Sequence, residues 1–233
     1  MGAVREFALR EGEAAVFGYG SLISRASLES TLRGRYGRPL MECELDGWRR
    51  TWDVAMPNAA FYADTPAGRL VPASILYLNV TRAGVAAAVN GVLIALSPDQ
   101  LEAMDRREWI YDRVDVTGEV RGVRVTGGPA FAYVAKPEYV LRDVARQEDA
   151  AVRASYLAII ETGLAELGPA CRAAYERSTE PVPAHLVIAD RFDPDAAPPR
   201  RSPARVPSTV PRSENAGSPS ASLDPSGGSP STP

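Results

Sequence analysis

Two short stretches of this chain carry residue types and spacings that could do chemistry. The first is Val16-Phe17-Gly18-Tyr19-Gly20-Ser21-Leu22. An apolar strand beginning at Ala14 runs directly into two glycines that bracket a tyrosine. Glycine tolerates positive φ and lets a ligand approach the backbone closely. Such a turn at a strand end can present successive N–H groups to a carboxylate, phosphate or carbonyl oxygen. The second stretch is Asp105-Arg106-Arg107-Glu108-Trp109-Ile110-Tyr111. Asp105 and Glu108 are three apart and share one face of a final helical turn. A carboxylate flanked by Trp109 and Tyr111 loses water, which raises its pKa and suits an acid–base role. Taken alone, this stretch also fits a solvated run of local ion pairs.

Several familiar chemistries are excluded. Gly18-Tyr19-Gly20-Ser21 is followed by Leu22, so it is not a phosphate-binding loop of the Gly-Lys-Ser/Thr kind. The third glycine of a dinucleotide fingerprint is missing. Ser21 has Ile23 where a nucleophile elbow needs its second glycine. His185 is the only histidine, which removes mechanisms needing two, most zinc sites among them. Cys43 and Cys171 have no metal-ligand spacing and read as inert thiols of a cytosolic protein. No metal or cofactor is expected.

The elements that must position these residues follow from periodicity. Ala14–Phe17, Val71–Leu78, Asn90–Leu96 and Phe131–Ala135 read as strands. Met41–Val54 suggests two strands pairing around Gly47, and Tyr111–Val125 a strand or hairpin. Ser27–Leu32 opens a helix, with Ser24 or Ser27 as its cap. Ser97-Pro98-Asp99-Gln100 is a capping box: Ser97 the cap, Pro98 the first helical residue, Gln100 the third. From Val144 to Glu176 the spacing turns helical, with a stripe of Val152, Tyr156, Ile159, Ile160, Leu164 and Leu167. Gly168-Pro169 ends that helix and a second begins. Strands followed by helices indicate an α+β domain.

The 233 residues are 45% hydrophobic and 24% charged, an ordinary globular composition. The formal net charge of −3 gives no reason to expect a nucleic-acid partner. Lys136 is the only lysine, as GC-rich codon usage would produce. The first residues lack the apolar core of a signal peptide, and no apolar run reaches the roughly 18 residues of a membrane span. The expected location is cytoplasmic. From Pro194 the chain is rich in Pro, Ser and Gly, which predicts one domain over 1–193 and a disordered tail over 194–233.

Taken together, the segments resemble the γ-glutamylcyclotransferase superfamily, most closely its ChaC-like members. Val16 to Ile23 resembles its N-terminal signature, and Leu45-Asp46-Gly47-Trp48-Arg49-Arg50 its second strand segment. Gly91–Ser97 followed by Met104–Glu108 resembles the segment that delivers the catalytic glutamate. Phe131–Ala135 resembles a late strand with its tyrosine, and Tyr156–Gly168 the C-terminal helix. Ser24-Arg25 stands where ChaC proteins usually have a tryptophan, and Trp109-Ile110 where a glycine-containing step is common. Both departures bear on whether glutathione is the substrate, and neither touches the core reaction.

The resemblance implies a small mixed β-barrel of about six strands flanked by helices. It also implies a cofactor-independent release of 5-oxoproline from a γ-glutamyl compound, with Glu108 as general acid and base. The substrate-binding residues it implies are Phe17, Gly18, Tyr19, Gly20, Ser21 and Leu22, with Tyr133 adding a hydrogen bond. Asp105 is expected to orient or cap, Tyr111 to pack beside Glu108, and His185 to be a surface or packing residue. Selectivity for the leaving amine is expected near Trp109 and the Phe61–Pro72 loop. Two alternatives remain open: a non-catalytic γ-glutamyl-binding module, and deprotection of a γ-glutamyl intermediate in a biosynthetic pathway.

Overall fold

The computed structural model describes residues 4–196. In chain order the strands are β1 (Arg5–Ala8), β2 (Ala14–Gly18), β3 (Met41–Asp46), β4 (Trp48–Pro57), β5 (Phe61–Thr65), β6 (Gly68–Leu70), β7 (Ser74–Arg82), β8 (Ala88–Leu96), β9 (Tyr111–Asp115), β10 (Val120–Arg121), β11 (Val123–Thr126), β12 (Ala130–Ala135), β13 (Ala150–Arg153), β14 (Val187–Ile188) and β15 (Arg191–Phe192). Four α-helices are described: α1 (Arg25–Leu32), α2 (Pro98–Arg107), α3 (Ala154–Leu167) and α4 (Pro169–Ser178). The Pro/Ser/Gly-rich tail expected from Pro194 lies outside the described residues from position 197 on.

The centre of the molecule is β2, buried at every position, and it pairs antiparallel with the apolar β8. Their six-stranded sheet runs β10-β3-β8-β2-β12-β9, with β12 parallel to β2. A second, four-stranded sheet runs β14-β13-β7-β4. β1 pairs with β11, and β15, β5 and β6 form a small sheet of their own. The fold is a mixed α/β arrangement, and the described strands close no barrel. Closure would need a hydrogen-bonded seam between edge strands, but β9 and β10 do not pair.

At Gly47, with φ 80°, the chain passes from one sheet into another. β3 and β4 are therefore not the hairpin expected around Gly47: β3 pairs with β8, and β4 with β7. The span Tyr111–Val125 divides likewise among three partners, β9 with β12, β10 with β3, and β11 with β1. Val152, expected on a helical stripe, lies in β13 beside β7 and β14. The Phe61–Pro72 stretch holds the β5–β6 hairpin.

The start of α2 and the break between α3 and α4 follow their local signals, but α3 begins at Ala154 and not at Val144, because Val144–Arg146 is a 3₁₀ turn and Ala150–Arg153 is strand β13. Ser97 Oγ accepts from Gln100 N and Gln100 Oε1 from Ser97 N, completing the capping box of α2. Gly168, with φ 95°, separates α3 from α4, and Pro169 opens the latter. Ser24 precedes α1 as its cap residue, without a side-chain cap bond. Helix α3 crosses close over the loop that follows β2. A Cβ on Gly163 would lie 2.7 Å from Ser24 N and 2.8 Å from the Ile23 carbonyl carbon.

That contact yields a prediction of sign. Gly→Ala in a helix interior ordinarily stabilises by about 0.5–1 kcal/mol. At Gly163 the added methyl meets backbone, so Gly163→Ala is expected to destabilise by about 1–3 kcal/mol instead. Urea unfolding reads this as a lower midpoint at unchanged slope. An unchanged or raised midpoint would show that α3 does not rest on the loop.

Candidate functional site

Glu108 is the residue on which α2 stops. Its backbone N–H bonds to Met104 O at 2.9 Å and its carbonyl accepts from Tyr111 N at 2.8 Å, after which β9 begins. The capping box fixes where the helix starts, and therefore where Glu108 falls. Its side chain is only 16% exposed and lies 3.2 Å from Arg107 Nε. Burial raises its pKa above the usual carboxylate value, while the Arg107 charge pulls it down.

The loop after β2 reaches the same place. Phe17, Tyr19, Gly20, Ser21, Leu22, Glu108 and Tyr133 line one small cavity together with Leu78, Tyr111 and Tyr156. Residues Ser21–Ile23 form a single 3₁₀ turn whose N-terminus has no side-chain cap. Gly20 has φ −120° and Gly18 is not among the glycines of positive φ, so the positive φ that a glycine turn would permit is not used. Both glycines are needed for close approach. A Cβ on Gly20 would stand 3.0 Å from the Tyr156 hydroxyl, and one on Gly18 would stand 2.9 Å from Leu22 Cβ. Gly18 pairs with Val92 at the end of β2 and does not line the cavity.

A buried arginine sets the loop's orientation. Arg50 Nε donates to Tyr19 O at 2.8 Å. The Tyr19–Gly20 peptide is planar and trans, so the Gly20 N–H is directed away from Arg50. The remaining Arg50 donors reach Asn90 O, Ser178 Oγ at 3.1 Å and Thr179 Oγ1 at 2.7 Å, and the guanidinium lies 4.2 Å from the Tyr175 ring centroid. Burial lowers its pKa to about 10, which leaves it charged at neutral pH.

The tyrosines are tied in a chain. Tyr19 Oη donates to Tyr133 O at 2.6 Å, Tyr133 Oη to Asp105 Oδ1 at 2.6 Å, and Tyr111 Oη to Leu78 O at 2.9 Å. Asp105 therefore orients Tyr133, and is held in turn by Arg113 at 3.1 Å. Burial raises the pKa of all three phenols and of Tyr156. They remain neutral hydrogen-bonding groups.

Ser21 Oγ accepts from Arg107 Nη2 at 2.6 Å. Its partner is a cation and cannot take its proton. His185 is exposed and lines a different cavity, near Leu70 and Pro72. Ser21 and His185 form no catalytic pair. Both cysteines are buried and free, and burial pushes the Cys43 thiol up to about 12.

Three groups at this site were not singled out as site residues by sequence reasoning. Tyr156 reads as part of an apolar helical stripe, yet its hydroxyl stands over Gly20. Arg107 reads as part of a charge run, yet it binds Ser21 and, at 2.6 Å, Thr31. Arg50 reads as a strand residue in a family-like segment. A tyrosine on a buried stripe and an arginine inside an apolar strand are the signals available beforehand.

No family model matches the chain, and no curated protein matches it. Among solved structures, an uncharacterized human protein shares the fold with TM-score 0.50 at 15% identity, over 74% of this chain and 90% of that one. Other likenesses are a structure described as a gamma-glutamyl cyclotransferase (TM-score 0.47, 16% identity, 73% of this chain and 89% of that one) and a yeast gamma-glutamyl cyclotransferase specific to glutathione (TM-score 0.44, 14% identity, 71% and 95%). At these identities the likeness is one of fold. No helix among the described residues is long and apolar enough to cross a membrane.

The raised pKa of Glu108 has a consequence for stability. Between its unfolded and folded pKa values the folded state holds a proton that the unfolded chain has lost, so stability falls as pH rises through that window and stays lower above it. Glu108→Gln removes the buried charge. It is expected to raise the thermal midpoint at pH 7, with the gap closing below about pH 4, where the unfolded glutamate is protonated as well. Melting curves at both pH values check this, and a lower midpoint for the variant at pH 7 would contradict it.

Proposed function

We propose that this protein is a γ-glutamylcyclotransferase. The observation that carries the reading is that a largely buried carboxylate with a raised pKa, Glu108, and the uncapped turn after β2 line one small cavity. In the reaction the substrate's own α-amine attacks its γ-carbonyl carbon. The new C–N bond closes the 5-oxoproline ring as the original amide C–N bond breaks. Glu108 takes the proton from the attacking amine and returns it to the leaving nitrogen. No water is consumed, and the nucleophile belongs to the substrate, so the chain needs neither a serine–histidine pair nor a cofactor.

Holding the glutamyl group folded removes much of the barrier, because ring closure is intramolecular. The turn from Tyr19 to Leu22 grips the glutamyl carboxylate or the carbonyl oxygen through backbone N–H groups, and at the latter it stabilises the developing oxyanion. Arg50 sets the Tyr19–Gly20 peptide for this purpose. Tyr133, oriented by Asp105, and the Tyr156 hydroxyl supply polar contacts in the same cavity.

The test is a small panel of γ-glutamyl amino acids, peptides and amines, with 5-oxoproline followed by mass spectrometry. The protein is expected to release 5-oxoproline from at least one member. Glu108→Gln is expected to fold and to lose about 10²- to 10⁴-fold or more of the rate. Turnover by the variant at the wild-type rate would sink the assignment of Glu108. Binding without any turnover by the wild type would favour the binding-module alternative.

A further inference from the structure

Arg107 and Glu108 are adjacent in sequence, and adjacent side chains on a helix do not face each other. They leave the axis about 100° apart. Yet Arg107 Nε lies 3.2 Å from Glu108 Oε1. Helix geometry alone does not make this contact, so Arg107 must be held on the side of Glu108 by something else. The holders come from other segments. Thr31 Oγ1, on α1, accepts from Arg107 Nη1 at 2.6 Å, and Ser27 Oγ, one turn earlier, accepts from Nη2 at 3.3 Å. Thr31 Oγ1 donates its own proton to Ser27 O at 3.0 Å, which leaves its lone pairs for the arginine. The third hydroxyl is Ser21 Oγ, in the turn after β2, at 2.6 Å from Nη2. The guanidinium thus joins α1, the turn and the end of α2. Its side chain is only 28% exposed, so salt and water screen the pair less than they would at the surface.

The other groups that face Glu108 are neutral or engaged elsewhere. The phenols of Tyr19, Tyr77, Tyr111, Tyr133 and Tyr156 are pushed up by burial and carry no charge. Asp105, on α2, is tied to Tyr133 and Arg113. Arg153, on β13, shares a second cavity with Glu108 but lies beside Asp190 and the Phe61 ring. Arg107 is the charge that favours the Glu108 anion against burial. It also acts on Ser21. A guanidinium has donors only, so its bond occupies a lone pair of Ser21 Oγ and leaves the hydroxyl proton free to be donated. Ser21 and Glu108 line the same small cavity.

We propose that Arg107 is the positioning residue of this site: braced on the hydroxyls of α1, it holds the Glu108 carboxylate and the Ser21 hydroxyl in fixed register beside the cavity. It acts through these two groups. Its effect on turnover rests on the cyclotransferase reading above, and its hold on Glu108 does not.

The experiment uses three variants of the full chain. Arg107→Gln removes the charge, Arg107→Lys keeps it without the planar fork, and Thr31→Val removes the brace on α1. Release of 5-oxoproline from the γ-glutamyl panel is followed against pH. The acidic limb of kcat/KM reports the base of the free enzyme. In Arg107→Gln this limb is expected to move to higher pH, because the anion has lost its cation. The plateau is expected to fall by about ten- to a hundredfold, the scale on which a misplaced group loses rate. Arg107→Lys is expected to restore the position of the limb more than the plateau, and Thr31→Val to move the limb the same way by less. NMR of protein isotopically labelled at the glutamate δ-carbon reads the same carboxyl without turnover. The Glu108 signal is the one missing from Glu108→Gln, and its titration midpoint is expected to rise in Arg107→Gln. A limb or a midpoint that stays put in folded Arg107→Gln would overturn the proposal even if the plateau falls, since a role in packing alone lowers only the plateau. Melting curves report folding, and if Arg107→Gln does not fold, the midpoint in Thr31→Val decides in its place. If no member of the panel yields 5-oxoproline, the cyclotransferase reading fails for those compounds, and the NMR midpoint still decides the role of Arg107.

Discussion

The buried guanidinium of Arg50 is the interaction around which this structure is arranged. It is completely shielded from solvent, and its hydrogen-bond partners are carbonyl, amide and hydroxyl oxygens, with no carboxylate. These partners come from four places: the loop after β2, the β8 residue Asn90, Ser178 at the end of α4, and Thr179 just beyond it. An arginine paired with a carboxylate would have been easier to bury. Here the neutral acceptors satisfy the donors without cancelling the charge, and the ring of Tyr175 covers one face. A full positive charge therefore remains beneath the peptide that leads into the turn after β2.

That interaction also explains which parts of the site were legible in the sequence. Signals that act within a few residues read out correctly. The Ser97 capping box, the Gly168-Pro169 break and the apolar strand into Gly18-Tyr19-Gly20-Ser21 all specify their own geometry. Signals that need a distant partner did not. Arg50 and Thr179 are far apart in sequence, and nothing near Arg50 indicates that it will be enclosed by the end of α4. Gly47 looks like the centre of a hairpin, because a glycine between two apolar runs is what a hairpin presents. The two runs instead lie in different sheets, β3 against β8 and β4 against β7, so the separation is decided by those distant partners. Val152 fits a helical period by coincidence of spacing, while its pairing in β13 is decided by β7 and β14.

The glycines of the loop teach a narrower lesson. A Gly-x-Gly turn suggests freedom of φ, yet what Gly18 and Gly20 provide is the absence of a Cβ. Leu22 packs against the first and the Tyr156 hydroxyl against the second. Gly163 plays the same part from the other side, bringing α3 down onto the turn. Three positions without side chains thus let a helix and a strand end approach at backbone distance. This closeness is what brings Tyr156, from a helix late in the chain, to the edge of a cavity made by its beginning.

Glu108 stands where opposing influences on one carboxylate meet. It caps the C-terminal end of α2, where unpaired carbonyls place partial negative charge that disfavours an anion. Burial acts in the same direction. Arg107, one residue away, favours the anion, but its guanidinium is shared with three hydroxyls as well as the carboxylate. A carboxylate fully paired with arginine would be a poor base, and one with no cation nearby would hold its proton to higher pH. Between these limits a single group can accept a proton and give it back. The helix that fixes this balance is set by a capping box at its other end, so an ordinary local sequence signal positions the group with the most demanding electrostatics in the molecule.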